Sequence, residues 1–304
     1  MNNQHITDNA ALYHGDSCEV LKMLPSGKAG LSIFSPPFAD LYCYSDSEQD
    51  LGNCKGYDEF FSHFDFIIDG LKHAMMPGRN IVVHCMDIPA MKERDGYIGI
   101  KDFSGDLIRA FQRHGLIYHS RHTLWKDPLI EATRTKAIGL MHKQLCKDSA
   151  RSRSGLPDYL LTFRTEGENE VPISHNEGLT KYCGKNDPGG DGIKRSHNIW
   201  RAYASPVWMD IRQTKTLNGR AARSEEDEKH VCPLQLDTIE RAILLWSNPG
   251  EVVLTPFMGV GSEVYGALVN GRKGIGIELK ESYYRQAVAN VMGAEESGTE
   301  GMLF

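Results

Sequence analysis

The sequence predicts an α/β fold, a doubly wound and mostly parallel sheet interrupted once by a loop-rich insertion. Two observations predict the sheet. Short apolar runs alternate with amphipathic stretches through residue 165, and the same alternation resumes after residue 230; this is the pattern of repeated βαβ units. A third observation predicts the insertion. Residues 166–230 lose both periods and collect Gly167, Gly178, Gly184, Gly189, Gly190, Gly192 and Gly219 among prolines and short polar residues. The chain therefore divides into 1–165, an insertion at 166–230, a section at 231–292 that completes the same sheet, and a frayed tail at 293–304.

The elements follow in order. Tyr13-His14 ends a short apolar piece, and Asp16 with Glu19 three residues later reads as the N-cap box of a helix with Val20, Leu21 and Leu24 on one face. Leu31, Ile33 and Phe34 form a buried strand, stopped by Pro36 and Pro37, which fix the backbone and remove amide donors. Asp40 to Tyr57 has no period and reads as a loop. Phe60, Phe61, Phe64, Ile67, Ile68, Leu71 and Met75 recur at three- and four-residue spacing, which predicts a long amphipathic helix ended by Pro77-Gly78. Asn80 to Cys85 is a strand, Phe103 to Phe111 a helix, and Leu116-Ile117-Tyr118 and Tyr159 to Arg164 two more strands. Beyond the insertion come a helix with Ile239, Ile243 and Trp246 inward, a strand at Glu251 to Leu254, a helix from Glu263 to Asn270 and a strand at Gly274 to Leu279.

Composition narrows the function classes. The chain is 40% hydrophobic and 24% charged, with no apolar run of membrane-spanning length and a polar beginning, so the expectation is a cytoplasmic protein. Seven scattered cysteines without a Cys-x-x-Cys pair predict reduced thiols, and the histidines show no ligand spacing, so no metal is expected. The formal net charge is −6, yet between Arg121 and Arg153 eight cations, among them Arg134, Lys136, Lys143, Lys147, Arg151 and Arg153, meet only Asp127, Glu131 and Asp148. Such a local excess on an acidic protein suggests one face that meets a polyanion, although a solvated helix would also account for it. In the insertion, Trp200, Tyr203 and Trp208 stand among Lys194, Arg195, Arg201 and Arg212; this mixture suits nucleic-acid contact or a small core beneath a long loop.

Two stretches carry chemistry. Ser35-Pro36-Pro37-Phe38 presents a hydroxyl, a carbonyl and an aromatic ring at the end of a strand, where open α/β sheets bind ligands. Thr255-Pro256-Phe257-Met258-Gly259-Val260-Gly261-Ser262 follows another strand and opens a helix, so Gly259 and Gly261 let the backbone approach a ligand at a helix amino terminus. Glu278 ends the next strand, 17 residues after Gly261, where an acid can accept ribose hydroxyls. This order suits a nucleoside cofactor. It fits NAD in outline, but Val264 stands where a third glycine would complete Gly-x-Gly-x-x-Gly.

Together these stretches resemble the S-adenosylmethionine-dependent DNA amino-methyltransferases. Residues 252–262 are similar to their cofactor motif Asp-Pro-Phe-x-Gly-x-Gly, with Thr255 in place of the aspartate, and Ser35-Pro36-Pro37-Phe38 is similar to their catalytic (Asp/Asn/Ser)-Pro-Pro-(Tyr/Phe/Trp) motif. The catalytic motif comes first, as in the permuted beta group, with a target-recognition region between the two motifs. The resemblance covers about residues 10–165 and 230–290.

The resemblance implies a Rossmann-like methyltransferase sheet with S-adenosylmethionine as cofactor and double-stranded DNA as partner. It implies that Gly259 and Gly261 line the methionine moiety, Ser262 belongs to the cofactor site, Phe257 flanks the cofactor, Glu278 holds the ribose, and Asp16 contacts the adenine ring unless it serves only as an N-cap. Ser35, the Pro36 carbonyl and Phe38 would hold a flipped base by its exocyclic amino group, leaning towards cytosine N4, with adenine N6 as the alternative. Arg134, Lys136, Lys143, Lys147, Arg151, Arg153, Lys194 and Arg195 are the candidate DNA contacts. A homodimer and a cognate restriction enzyme stay open as partners. The competing readings are a dehydrogenase using NAD, a DNA-binding module without activity, and methylation of a protein glutamine.

Overall fold

A computed structural model describes residues 3–37, 57–90, 92–218 and 233–300, the side chains of Arg94, Arg134 and 297–300 apart. Phe38, the expected loop to residue 56, and the acidic run at Glu225-Glu226-Asp227-Glu228 lie outside the described residues.

The chain opens with a hairpin, β1 (Asn3–Ile6) against β2 (Ala10–His14). Its turn is fixed by Thr7, whose hydroxyl accepts from the Ala10 N–H at 3.0 Å. Helix α1 (Ser17–Met23) starts where Asp16 accepts from the Cys18 N–H at 2.9 Å. Glu19 does not complete the box, because it pairs with Lys22 on the helix surface. Strand β3 (Ala29–Phe34) is buried at every residue, as expected of a strand covered on both faces. Helix α2 (Tyr57–Ala74) buries Phe60, Phe64, Ile67, Ile68 and Leu71, each worth about 1.5–3 kcal/mol of transfer free energy.

Strand β4 (Met75–Met86) begins before Pro77-Gly78, so the turn expected there is a bulge within the strand. A small second sheet, β5 (Ile88–Ala90) with β6 (Gly99–Lys101), brackets the short helix α3 (Lys92–Asp95). Helix α4 (Phe103–Arg113), capped by Asp102, leads to β7 (Ile117–Leu124). The basic segment then forms α5 (Pro128–Thr135) and α6 (His142–Lys147), each followed closely by a single 3-10 turn, before β8 (Asp158–Arg164).

The insertion is more ordered than its composition suggests. It contains α7 (Gly192–Tyr203) and adds β9 (Val207–Trp208) to the edge of the main sheet beside β7. The last section supplies α8 (Leu236–Trp246), β10 (Val252–Thr255), α9 (Ser262–Val269), β11 (Lys273–Glu278) and α10 (Glu281–Glu300). Helix α10 extends into the section expected to be a tail: Ala294 is buried, and Glu295 accepts from the Thr7 hydroxyl at 2.5 Å.

The main sheet has the order β1-β2-β11-β10-β3-β4-β8-β7-β9. Strands β2, β11, β10, β3 and β4 are parallel, and β1 and β8 are antiparallel to their neighbours. One core packs Phe34, Ile81 and Val83 against α1, α2 and α4. The other packs Leu31, Ile33, Val82 and Val253 against α8 and Ala267 of α9. From β10 the chain winds to β11 on one side, and from β3 it winds to β4 on the other. The loops after β10 and β3 therefore diverge at the carboxyl edge, the place where open α/β sheets bind ligands.

The insertion is fastened to this sheet by a buried cation. Arg241 of α8 is fully buried, pairs with Asp210, donates to the Cys183 carbonyl, and lies 4.4 Å from the Tyr203 ring centroid and 4.6 Å from that of Trp208. Of Trp200, Tyr203 and Trp208, the last two are thus core residues, while Trp200 is exposed.

Candidate active site

Four neighbouring strands bring the predicted residues to one edge. Leu254 of β10 pairs with Ser32 of β3, so the two strands end side by side and place Pro256-Phe257 next to Ser35-Pro36. Glu278 of β11 pairs with His14 of β2, and the Gly15 N–H donates to the Glu278 carbonyl at 3.0 Å. Asp16, Ser35, Gly259, Gly261, Ser262 and Glu278 therefore lie along one carboxyl edge of the sheet, although their numbers span most of the chain.

The glycine loop is shaped by backbone geometry. Gly259 and Gly261 have φ of +51° and +87°, in the left-handed region that side chains disfavour. A Cβ on Gly261 would lie 3.1 Å from the Ala287 Cβ, whereas Gly259 faces open space. The Gly259 N–H donates to Glu278 Oε2 at 2.9 Å, and Oε1 accepts from the Lys280 N–H at 2.8 Å. Val264, in the place of a third glycine, has room because β11 supplies Gly274 and Gly276 opposite it. Phe257 packs its ring towards the core, with centroids 5.8 Å from Phe34 and 6.4 Å from Phe64. Asp16 is half-buried and caps α1 with one oxygen.

This loop has open space and unused polar groups for a ligand. The hydroxyls of Thr255 and Ser262 are buried without a hydrogen-bond partner. Beside them Glu263 is buried, and its carboxyl is pushed up to about 8, chiefly by burial and further by the Glu278 charge. Near neutral pH that carboxyl is therefore protonated and uncharged, and the open face of Gly259 leaves space beside the loop.

Further along the same edge stands an array absent from the sequence-based expectations. Ser35 Oγ lies 2.8 Å from His84 Nδ1, where β4 runs beside β3. His84 Nε2 lies 3.1 Å from Asp158 Oδ2, a contact that is an ion pair when the imidazole is protonated, and Lys126 Nζ pairs with Asp158 Oδ1. Burial opposes ionisation of Asp158, but His84 and Lys126 outweigh it and hold the carboxyl below its ordinary value. Ser35, His84, Asp158 and Lys126 come from β3, β4, β8 and β7 or their ends, in sheet order. The only local signal was a histidine near the end of an apolar strand, a position more often filled by a core residue.

The basic residues divide into two groups. Strand β7 runs parallel to β4, so the segment that follows Leu124 rises from the same edge as Ser35. On it Lys136, Lys143, Lys147 and Arg151 are exposed, Arg151 pairing at 3.4 Å with Asp148. Arg153 is half-buried, 3.9 Å from Glu131, and the Arg134 side chain is outside the described residues. Lys194 is exposed at the start of α7. Arg195 is committed internally: it grips both oxygens of Asp187 at 3.0 and 3.1 Å and donates through Nε to the Thr180 carbonyl.

Several known proteins resemble this chain. The type II methyltransferase M.BamHI of Bacillus amyloliquefaciens is 23% identical over 274 residues, which is 90% of this chain and 55% of that protein, so the chain spans about half the length of that relative. Among solved structures, TTHA0409 of Thermus thermophilus, complexed with S-adenosyl-L-methionine, superposes with a TM-score of 0.65 at 19% identity, covering 93% of each chain. The cytosine-N4-specific PvuII DNA methyltransferase superposes with a TM-score of 0.61 at 19% identity, covering 93% of this chain and 86% of that one. The model of the N6/N4 methyltransferase family, DNA methylase, matches residues 30–289, from strand β3 with its Ser-Pro-Pro turn to helix α10, and the chain belongs to that family.

Proposed function

We propose that the protein transfers a methyl group from S-adenosylmethionine to the exocyclic amino group of a base in double-stranded DNA, with cytosine N4 as the preferred target. The observation that carries this reading is the register of β3 and β10, which sets the Ser35 turn beside the Gly259-Gly261 loop. The relatives' printed activities and the family match support it.

The cofactor supplies an electrophilic methyl group on a sulfonium. Gly259, Gly261 and Ser262 would line its methionine end, Glu278 would accept the ribose hydroxyls, and Asp16 would face the adenine. An exocyclic amino group is a weak nucleophile because its lone pair is delocalised into the ring. Ser35 Oγ and the Pro36 carbonyl accept its two hydrogens and turn the lone pair out of the ring plane. Catalysis is then mainly positioning and electrostatics. The base leaves the duplex at a cost of a few kcal/mol, and stacking on Phe38, worth roughly 1–3 kcal/mol, offsets it. Lys136, Lys143, Lys147 and Arg151, on the same edge as Ser35, follow the phosphates, and the 166–230 insertion reads the target sequence. Arg195, spent on Asp187 and Thr180, is left out of this set.

The test is base-resolved mapping of DNA from cells expressing the protein, with mass spectrometry of the nucleosides. N4-methylcytosine at a defined sequence is expected. N6-methyladenine would overturn the base assignment, and unmodified DNA would overturn the DNA reading.

A further inference from the structure

The row from Ser35 to Lys126 answers a question that the Ser-Pro-Pro turn leaves open. Methylation gives the amino nitrogen a new bond to carbon, formed with its lone pair, while the pair of the broken sulfur–carbon bond stays on sulfur. The nitrogen becomes cationic and must lose a proton. A serine hydroxyl is neutral and keeps no proton on its own account. In the structure it is not alone: its oxygen is 2.8 Å from His84 Nδ1.

We propose that His84 and Asp158 are positioning residues that act through Ser35 to carry away the proton shed by the methylated amino group. The proposal rests on the amino-methyltransferase reading and adds the route of the proton to it.

In the proposed route the Asp158 contact sets the polarity. Asp158 faces His84 Nε2 at 3.1 Å, which favours the tautomer with its proton on Nε2. Nδ1 is then an acceptor, and the Ser35 O–H donates to it. Both Ser35 lone pairs are left to accept from the base. When the nitrogen becomes cationic, its proton passes to Ser35 Oγ as the hydroxyl proton passes to His84 Nδ1. The product is a neutral methylamino group and an imidazolium facing Asp158. Lys126, paired with the other Asp158 oxygen, keeps that carboxylate charged in the resting state. The proton leaves to solvent after product release, and the serine is unchanged.

Two measurements on the full chain test this. The first needs no substrate. Nitrogen–proton correlation spectra of the free protein report the His84 tautomer, and a proton on Nε2 with a bare Nδ1 is expected, perturbed in Asp158→Asn. A proton on Nδ1 overturns the proposal whatever the substrate proves to be. The second is single-turnover methyl transfer to DNA. His84→Ala should lose about 10²-fold or more in rate, with S-adenosylmethionine and DNA affinities nearly unchanged, and added imidazole should restore part of the loss. His84→Gln replaces it if the alanine variant does not bind cofactor. A near-wild-type rate, or a loss that imidazole leaves untouched, overturns the relay. A wild-type protein that methylates no DNA overturns the DNA reading instead, and the tautomer still decides the polarity.

Discussion

The buried hydroxyl of Ser32 donates to the carbonyl of Leu254 across 2.9 Å and fastens the strand ending in Ser35 to the strand ending in the glycine loop. Ser32→Ala should destabilise the protein by about 1 kcal/mol, the usual worth of one such bond. Methyl transfer should fall by more than stability alone predicts, because the two halves of the site lose a shared anchor. Urea unfolding beside single-turnover rates checks this, and equal rates in both proteins would refute it.

The two glycines of the cofactor loop should separate on substitution. Gly261→Ala combines a φ of +87° with a 3.1 Å approach to the Ala287 Cβ, so both stability and cofactor affinity should drop. Gly259→Ala has open space around its new methyl, so its cost falls mainly on the ligand that would occupy that space. Calorimetric titration with S-adenosylmethionine, paired with thermal melts, distinguishes the two patterns.

Acid and base should act on stability in opposite senses. Glu263 holds its proton up to about 8 in the folded chain, while the unfolded chain releases it near 4.5. Between those values the folded state binds more protons, so this group's contribution to stability falls as pH rises. Glu263→Gln should therefore flatten the alkaline side of a stability profile measured without cofactor. Asp158, Asp237 and Glu251 are held below their ordinary values against the cost of burial, by His84 and Lys126, by Arg212 and Lys215, and by Arg79 and Asn248 respectively. Their stabilisation is present above the unfolded carboxylate range and lost as pH falls through the lowered values.

Charge reversal should sort the cations. Replacing Lys143, Lys147 and Arg151 by glutamate should weaken DNA binding and reduce the slope of its salt dependence by about 0.9 for each lost phosphate contact. Arg195→Ala should leave that slope alone and loosen the 180–190 loop, seen as faster proteolysis. An unchanged slope in the triple variant would put the DNA on another face.

Arg241→Leu should cost about 3–5 kcal/mol, because it leaves Asp210 without its cation and empties the space among Tyr182, Tyr203 and Trp208. Hydrogen exchange should rise first across α7 and β9.

The parts of this site that were legible in the sequence are local. Ser-Pro-Pro-Phe and the glycine loop each lie within one turn after an apolar strand, so their chemistry and position could be read together. His84, Asp158 and Lys126 could not be read this way. Ser35 and His84 are 49 residues apart, Asp158 and Lys126 are 32 apart, and what joins them is the antiparallel register of β8 against β4 and β7. Strand β1 escaped notice because its side chains are mostly exposed and carry no alternation. Helix α7 was hidden by the glycines around it. Tyr203 and Trp208 looked able to touch nucleic acid because their partner, Arg241, stands in another section of the chain.

The sheet order also governs how the chain assembles. Strands β2 and β3 follow each other closely in sequence, but β11 and β10 lie between them in the sheet, and both are made more than 200 residues later. During synthesis the first half therefore emerges with two raw strand edges facing a gap that nothing yet fills. Such edges are templates for wrong partners, and closing loops of this length is slow. Chains cut before β10 should collect in aggregates, whereas a separately expressed 233–304 piece, added during refolding, should slot into the gap and recover soluble protein.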